Sequence, residues 1–225
     1  MRIDRLAAPE LSELWSLRED VTVGFDGDDV LLRTPWGRRS VPRPARSVRE
    51  ALRRMLLGPV SLANVVPGFP GYDVPEEHWD DASRELLTVL DAHQDVVVRH
   101  LAVGATLCLS VLPVAPGAGF RPASAEPGGR ARLRDDVLAR REGRTTVLYS
   151  PRLHHRLELH GPEADRLLDR LSGRRDGTPA HPPPAVARAA RCYAAAAGLL
   201  AERVAPGGGL PRSAQGLLNG KEDSL

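Results

Sequence analysis

The sequence predicts an α+β chain in which one small antiparallel sheet with packed helices is written twice in tandem. Three observations predict it. LREDV at 17–21 returns as LRDDV at 133–137, each copy continues as strand, Gly-containing turn and strand, and each then switches to helical spacing.

At a fixed offset of 116, LREDVTVGFDGDDVLLRTP (17–35) lies over LRDDVLARREGRTTVLYSP (133–151) without a gap. Seven of nineteen positions are identical, and three more exchange Glu with Asp or Thr with Ser. The physical pattern agrees with the letters. Asp26-Gly27-Asp28 and Glu142-Gly143-Arg144 are turn chemistry, where glycine supplies positive φ. Val30-Leu31-Leu32 and Val147-Leu148-Tyr149 are β-rich runs that end before Pro35 and Pro151. A third short strand is expected around Arg39 to Val41 and again around Arg156 to Leu159. There Leu157 and Leu159 alternate with Arg156, Glu158 and His160, the period of a half-buried strand.

Helical stripes follow. Val48, Leu52 and Met55 share a face, and the offset lays Ala164, Leu168 and Leu171 over them. Pro162 suits a first turn, with Glu163 and Asp165 near the positive end of the helix dipole. Leu57-Gly58 and Ser172-Gly173 end the two helices. Pro44 and Pro162 miss register by two residues, so the loops differ. A second helix is expected in each copy. Val74 to Glu77 enters the first, with Trp79, Ala82, Leu86 and Leu90 on one face. Pro182-Pro183-Pro184 enters the other, with Val186, Ala189, Tyr193, Ala197 and Leu200. VVVRHL (96–101) and TLCLSVLP (106–113), joined around Gly104, resemble the wing hairpin of a winged helix. The expected division is a first winged-helix domain over 1–114, a Pro/Gly/Ala-rich linker over 115–131, a second winged-helix domain over 132–204 and a flexible tail over 205–225.

Composition narrows the function. Apolar residues make up 42% of the chain but aromatics only 4%, so Leu, Val and Ala must build most of the interior. No apolar run approaches the roughly 20 residues of a membrane helix. The start MRIDRLAAPELSEL lacks a signal peptide's apolar middle, so a cytoplasmic location and no membrane partner are expected. Cys108 and Cys192 read as two buried thiols that pack as small hydrophobes. The net charge is only +2, with 31 basic against 29 acidic residues, and bulk electrostatics does not call for nucleic acid.

The segments LREDVTVGFDGDDVLLRTPWGRRSV, VVVRHLAVGATLCLSVLP and RREGRTTVLYSPRLHHRLELHGPEADRLLDRLSG resemble the N-terminal tandem winged-helix region of SagB-type azoline dehydrogenases, flavin enzymes of ribosomal peptide natural-product biosynthesis. The resemblance spans Leu17 to Val204. It implies leader-recognition-element-like domains that take up a precursor's leader peptide as an added strand. In the family a nitroreductase-fold domain carrying FMN follows this region. The chain is therefore expected to hold no cofactor itself and to partner a separately encoded FMN dehydrogenase subunit. No flavin ligand or catalytic residue is carried over. Arg212-Ser213 resembles the family's flavin-domain start but reads as a polar tail dipeptide, and Arg38-Arg39-Ser40 reads as a turn between strands.

No complete active site is visible in the residues. Adjacent strand residues point to opposite faces, so His154 and His155 are poorly placed to share a metal, and no metal ligand is assigned. Asp80-Asp81 and Asp135-Asp136 suit helix starts and turns. PGGG (206–209) lacks the Lys-Ser/Thr of a phosphate loop. A DNA-reading helix needs several polar side chains, whereas AVARAARCYAAAAGLLAER offers Arg188 and Arg191 and then alanines. The expected function is therefore a non-catalytic leader-binding or scaffold subunit for an FMN-dependent azoline dehydrogenase. The alternatives are a subunit completing a shared dehydrogenase active site and a winged-helix DNA-binding regulator. Peptide- or partner-binding residues are expected along two strand borders: Trp36, Arg38, Arg39 and Val41 in the first copy, and Tyr149, Arg156, Glu158 and His160 in the second.

Overall fold

A computed structural model describes residues 10–70, 74, 76–122, 125–174 and 182–202. Strand β1 (Leu11–Leu17) leads into a meander of β2 (Thr22–Asp26), β3 (Asp29–Thr34) and β4 (Gly37–Val41), followed by helices α1 (Arg46–Leu57) and α2 (Asp81–Ala92). A hairpin of β5 (Val97–Val103) and β6 (Thr106–Pro113) comes next. The second half runs β7 (Ala131–Leu133), β8 (Leu138–Glu142), β9 (Thr145–Tyr149), β10 (His155–His160), α3 (Ala164–Ser172), α4 (Pro184–Ala196) and β11 (Leu200–Glu202). The chain is thus α+β with antiparallel sheets, and no described helix is long and apolar enough to cross a membrane.

The repeated pentapeptide builds the same turn twice. In the first copy the Arg18 amide donates to Val96 O at 3.0 Å and the Val21 amide to Arg18 O at 3.1 Å, while Arg18 Nε donates to Asp20 Oδ1 at 2.8 Å. In the second, the Arg134 amide donates to Leu199 O at 3.0 Å and the Val137 amide to Arg134 O at 3.1 Å, while Arg134 Nε donates to Asp136 Oδ1 at 2.9 Å. The acceptors Val96 and Leu199 stand at the entries to β5 and β11, and those strands pair with β1 and β7. The likeness of the two halves therefore reaches beyond the segment in which the letters agree.

Local chemistry sets the ends of the elements. Gly27 and Gly143 turn the two hairpins at φ of 56° and 63°. The first long helix buries Val48, Ala51, Leu52 and Met55. Helix α2 begins at Asp81 rather than near Val74, because Asp80 Oδ1 accepts from the Ser83 amide at 2.6 Å and caps it there. Pro162 falls in a 3-10 turn (Gly161–Glu163) just ahead of α3. Helix α4 starts at Pro184 and stops at Ala196. Leu200 consequently belongs to β11, not to the helix face on which the periodicity placed it.

The sheets join in an unexpected way. A six-stranded sheet runs in the order β1-β5-β6-β10-β9-β8, while β2-β3-β4 and β11-β7 form separate sheets. The hairpin expected to project as a wing is instead the middle of the large sheet. Leu109 to Pro113 of β6 lie antiparallel against His155 to Leu159 of β10, which joins the halves. Two cores flank the junction. One gathers Trp15, Leu32, Leu52, Leu86 and Val97 around the meander, α1 and α2. The other gathers Leu101, Leu109, Leu157, Leu167 and Tyr193 beneath α3 and α4. A polar clamp spans them: Tyr193 Oη donates to Glu13 Oε1 at 2.9 Å, Arg99 Nη2 donates to Glu13 Oε2 at 2.9 Å, and the Arg99 guanidinium lies 3.4 Å from the Trp15 ring centroid.

The stretch read as a linker is laid against the protein where it is described. Ala118 and Phe120 are buried, the Gly117 amide donates to Asp95 Oδ2 at 3.1 Å, and buried Arg191 donates to the carbonyls of Pro127, Gly128 and Ala131. The tail expected over 205–225 lies outside the described residues.

Leu157 is fully buried at the junction strand, so Leu157→Ala should cost about 3 kcal/mol of stability through lost burial and a residual cavity. Leu57→Ala, at an 85% exposed position, should change stability by less than about 0.5 kcal/mol. Urea unfolding of the two variants beside the parent chain measures both.

Candidate functional site

The first expected strand border is present. β4 pairs with β3 from Thr34↔Gly37 to Val30↔Val41, and among the described residues nothing pairs with its other side. The pair next to the two-residue turn, Thr34 and Gly37, exchanges ladder hydrogen bonds in a hairpin of this length. Alternation then directs the N–H and C=O of Arg38 and Ser40 away from β3, toward the open side. Their side chains are exposed, whereas Val41 belongs to the core. Arg39 turns inward to a bidentate ion pair with Asp95, at 2.6 and 2.5 Å, and this pair fastens β4 to the segment after α2. Hydrogen bonds from Arg39 and from the Gly117 amide outweigh burial and hold the Asp95 carboxyl below its ordinary range. Trp36 is half-buried against the first core, with the Arg18 guanidinium 4.8 Å from its ring centroid.

Charge along this border is one-sided. Arg33 and Arg38 face each other directly across β3 and β4, and both are exposed. None of the ion pairs among the described residues involves either one. Like charges opposed on one sheet face repel. An anionic group laid along β4 would relieve that repulsion.

The second expected border is not a border. β10 lies between β6 and β9, so Arg156, Glu158 and His160 sit on an interior strand; Glu158 is paired on both sides, Arg156 with β6 and His160 with β9. They do, however, come together with residues of the first half in one cleft of about 750 Å³. Tyr149 is not among its lining residues. It pairs with Leu138 at the outer edge of the large sheet, 37% exposed.

Across the cleft floor runs a hydrogen-bonded row of side chains from five adjacent strands. Ser16 Oγ of β1 is 2.9 Å from His100 Nε2 of β5, and His100 Nδ1 is 2.7 Å from Ser110 Oγ of β6. Ser110 Oγ is in turn 2.8 Å from His160 Nε2 of β10, whose Nδ1 is 3.4 Å from Thr145 Oγ1 of β9. Of these residues only His160 stood out in the sequence. Ser16, His100 and Ser110 are unremarkable polar letters in largely apolar strands, and only the register β1-β5-β6-β10 brings them into line. The signal was the polar residue at an inward position of each strand, legible only once the strand order is known.

Burial pushes the His100 imidazole down to about 4, helped by the nearby His160 and Arg99, and burial also lowers His160. His155, packed against Phe120, is likewise pushed down to about 4 by burial. The row is neutral at pH 7. At the cleft wall Arg18 Nη2 also pairs with Asp20 Oδ2, and Arg156 Nη2 pairs with Glu158 Oε1 at 2.9 Å. The Arg18 hydrogen bond holds the Asp20 carboxyl below its ordinary value, with Arg156 adding to the effect.

Other sites carry less chemistry. Among the described residues no group of three or more His, Cys, Asp or Glu side chains is placed to hold a metal ion. Both cysteines are buried, and burial raises their thiols above the ordinary value. On the helix weighed as a DNA reader, Arg191 is buried and committed to backbone carbonyls, so it is unavailable to phosphates.

A histidine whose folded pKa is depressed binds more protons when unfolded, so its contribution to stability is complete above pH 6.5 and is lost as pH falls toward 4. For His100, moved from 6.5 to about 4, that loss amounts to about 3 kcal/mol. Urea midpoints measured from pH 7 down to pH 4.5 should fall accordingly, and His100→Asn should flatten the decline.

Compared with models of known protein families and with curated protein sequences, the chain matches none.

Proposed function

We propose that the chain is a non-catalytic peptide-binding subunit that takes an extended precursor leader as an added strand on β4 and presents the rest of that peptide to a separately encoded FMN-dependent azoline dehydrogenase. One observation carries the reading. By the internal repeat β10 is the counterpart of β4, and its second side is filled by β6 in antiparallel register, whereas among the described residues nothing fills the corresponding side of β4. The molecule therefore supplies its own example of what this border accepts. Binding falls to the first half, because in the second the place is taken.

Strand addition gives affinity through main-chain hydrogen bonds and specificity through side-chain contacts. Here Arg38 and Ser40 offer the backbone groups, and the opposed Arg33 and Arg38 favour a peptide with acidic side chains on that face. Holding the leader raises the local concentration of the remaining peptide at the partner enzyme without chemistry in this chain.

Fluorescence anisotropy with labelled precursor leaders tests the reading. Ser40→Pro removes an outward N–H while sparing the ladder to β3, and edge strands tolerate proline. It should weaken leader binding by roughly tenfold or more at an unchanged melting temperature. The double change Arg33→Glu and Arg38→Glu should weaken binding and reduce its salt dependence. Binding that ignores Ser40→Pro would rule out strand addition at β4.

A further inference from the structure

The polar row invites a catalytic interpretation, since Ser16 Oγ meets His100 Nε2 at 2.9 Å and His100 Nδ1 meets a third polar group. Two facts weigh against it. The third group is Ser110, which brings no negative charge to stabilise an imidazolium. An imidazole held near 4 is also a weak general base at neutral pH. A neutral hydrogen-bonding floor suits recognition better than proton abstraction.

We infer that the cleft above the Ser16–His100–Ser110–His160 row is a second peptide subsite, which takes an apolar segment free of acidic side chains that follows the one added to β4. The identity of the occupant rests on the strand-addition reading; the chemistry of the cleft does not.

Proton inventory defines what the floor can bind. A neutral imidazole has one donor and one acceptor nitrogen, so the row runs in one direction, in the other, or inward from both ends onto Ser110. If the Ser16 hydroxyl donates to His100, Ser16 keeps only acceptor capacity for a ligand. If His100 donates to Ser16, the Ser16 hydroxyl is free to donate. Ser110, with one hydrogen and two lone pairs between two imidazoles, keeps one lone pair when the row runs one way and its hydrogen when both imidazoles donate to it. The floor thus meets either face of an amide group, and a peptide unit carries both.

The walls select against anions. Arg18 is matched by Asp20 and Arg156 by Glu158, so the basic side chains at the cleft already have carboxylate partners, while exposed Glu19 of the same lining enters none of the ion pairs among the described residues. An anionic ligand would lose hydration there and meet an unmatched carboxylate instead of a counter-charge. Apolar surface is offered in its place. Leu56, 43% exposed on the last turn of α1, and Val114, 44% exposed after β6, line the same cleft with half-buried Leu112. The volume, about 750 Å³, falls within the range of drug-sized ligand sites.

Continuity links the cleft to β4. A strand added to β4 in the orientation that β6 takes on β10 runs from the Val41 end toward Gly37 and leaves beside Trp36. There the guanidinium of Arg18 stacks on Trp36 and also donates to Pro113 O at the cleft wall. Residues C-terminal to the added strand therefore leave at the Arg18 end of the cleft.

The test uses the full chain and three small probes: N-acetyl-L-leucinamide, which is neutral; N-acetyl-L-leucine, an anion; and L-leucinamide, a cation. The imidazole resonances of His100 and His160 are followed by NMR at pH 7. The neutral probe at millimolar concentration should shift both saturably, and the anion should bind roughly tenfold more weakly than the neutral probe and more weakly than the cation. Leu56→Glu, a surface change, should weaken the neutral probe by at least about fivefold at an unchanged melting temperature. Ser110→Ala should abolish the coupled response of the two histidines. Absence of a saturable shift, equal binding of the anion, or indifference to Leu56→Glu would overturn the subsite. In the Ser40→Pro chain the neutral probe should bind as before. In the unsubstituted chain, leaders that fail to bind while the probe still does would remove the strand-addition reading and leave the cleft standing, whereas the reverse pattern would remove the cleft alone.

Discussion

Five residues of β6, Leu109 to Pro113, lie in antiparallel register against His155 to Leu159 of β10, and through this pairing two halves of similar sequence share one sheet. Alternate side chains on the paired strands serve opposite purposes. Leu109, Leu157 and Leu159 enter the core under α3 and α4, while Ser110, Glu158 and His160 face the cleft. A slip of one residue would exchange those faces, burying the charges and exposing the leucines. The second core and the polar row therefore depend on the same register. The pairing also decides which half has a strand side to offer, since β10 is satisfied and β4 is not.

The polar row shows how burial changes the use of a residue. An exposed histidine titrates near neutrality, but His100 is enclosed by strands on both sides and held neutral by that enclosure. Each of its nitrogens has a hydroxyl partner, so the desolvated ring is satisfied rather than orphaned. The result is a polar floor without net charge in a cleft whose ion pairs are already matched.

Much of the chain was legible before its coordinates. The hairpins at Gly27 and Gly143 and the apolar stripe of α1 follow from spacing and turn chemistry, which are local; in α3 the fixed offset singled out Leu168, whereas Leu167 is the fully buried residue and Leu168 is half-buried. What was not legible is long-range. Nothing in TLCLSVLP says that β6 will pair with β10, fifty residues later, instead of projecting as a wing. That choice rests on the apolar faces of both strands finding one core beneath α3 and α4. The border at Arg38 to Val41 was visible as a short, charged strand, but the reading of Arg38-Arg39-Ser40 as a turn does not hold: Pro35 and Trp36 make the turn, and all three residues pair with β3 inside β4. The border at Arg156 to His160 looked the same in letters and was lost to β6. Ser16, His100 and Ser110 were invisible because each is an unremarkable polar residue in its own strand. Only the order of strands makes them neighbours.

Arg191 and the carbonyls of Pro127, Gly128 and Ala131 give this architecture a further meaning. The sequence repeat divides in the Pro- and Gly-rich stretch before β7, but that stretch is fixed to α4 where it is described, and β6 pairs with β10 across it. The boundary of the repeat and the boundary of folding do not coincide. Cutting the chain there would leave β10 with β9 alone and β6 with β5 alone, each with one side of its backbone unpaired.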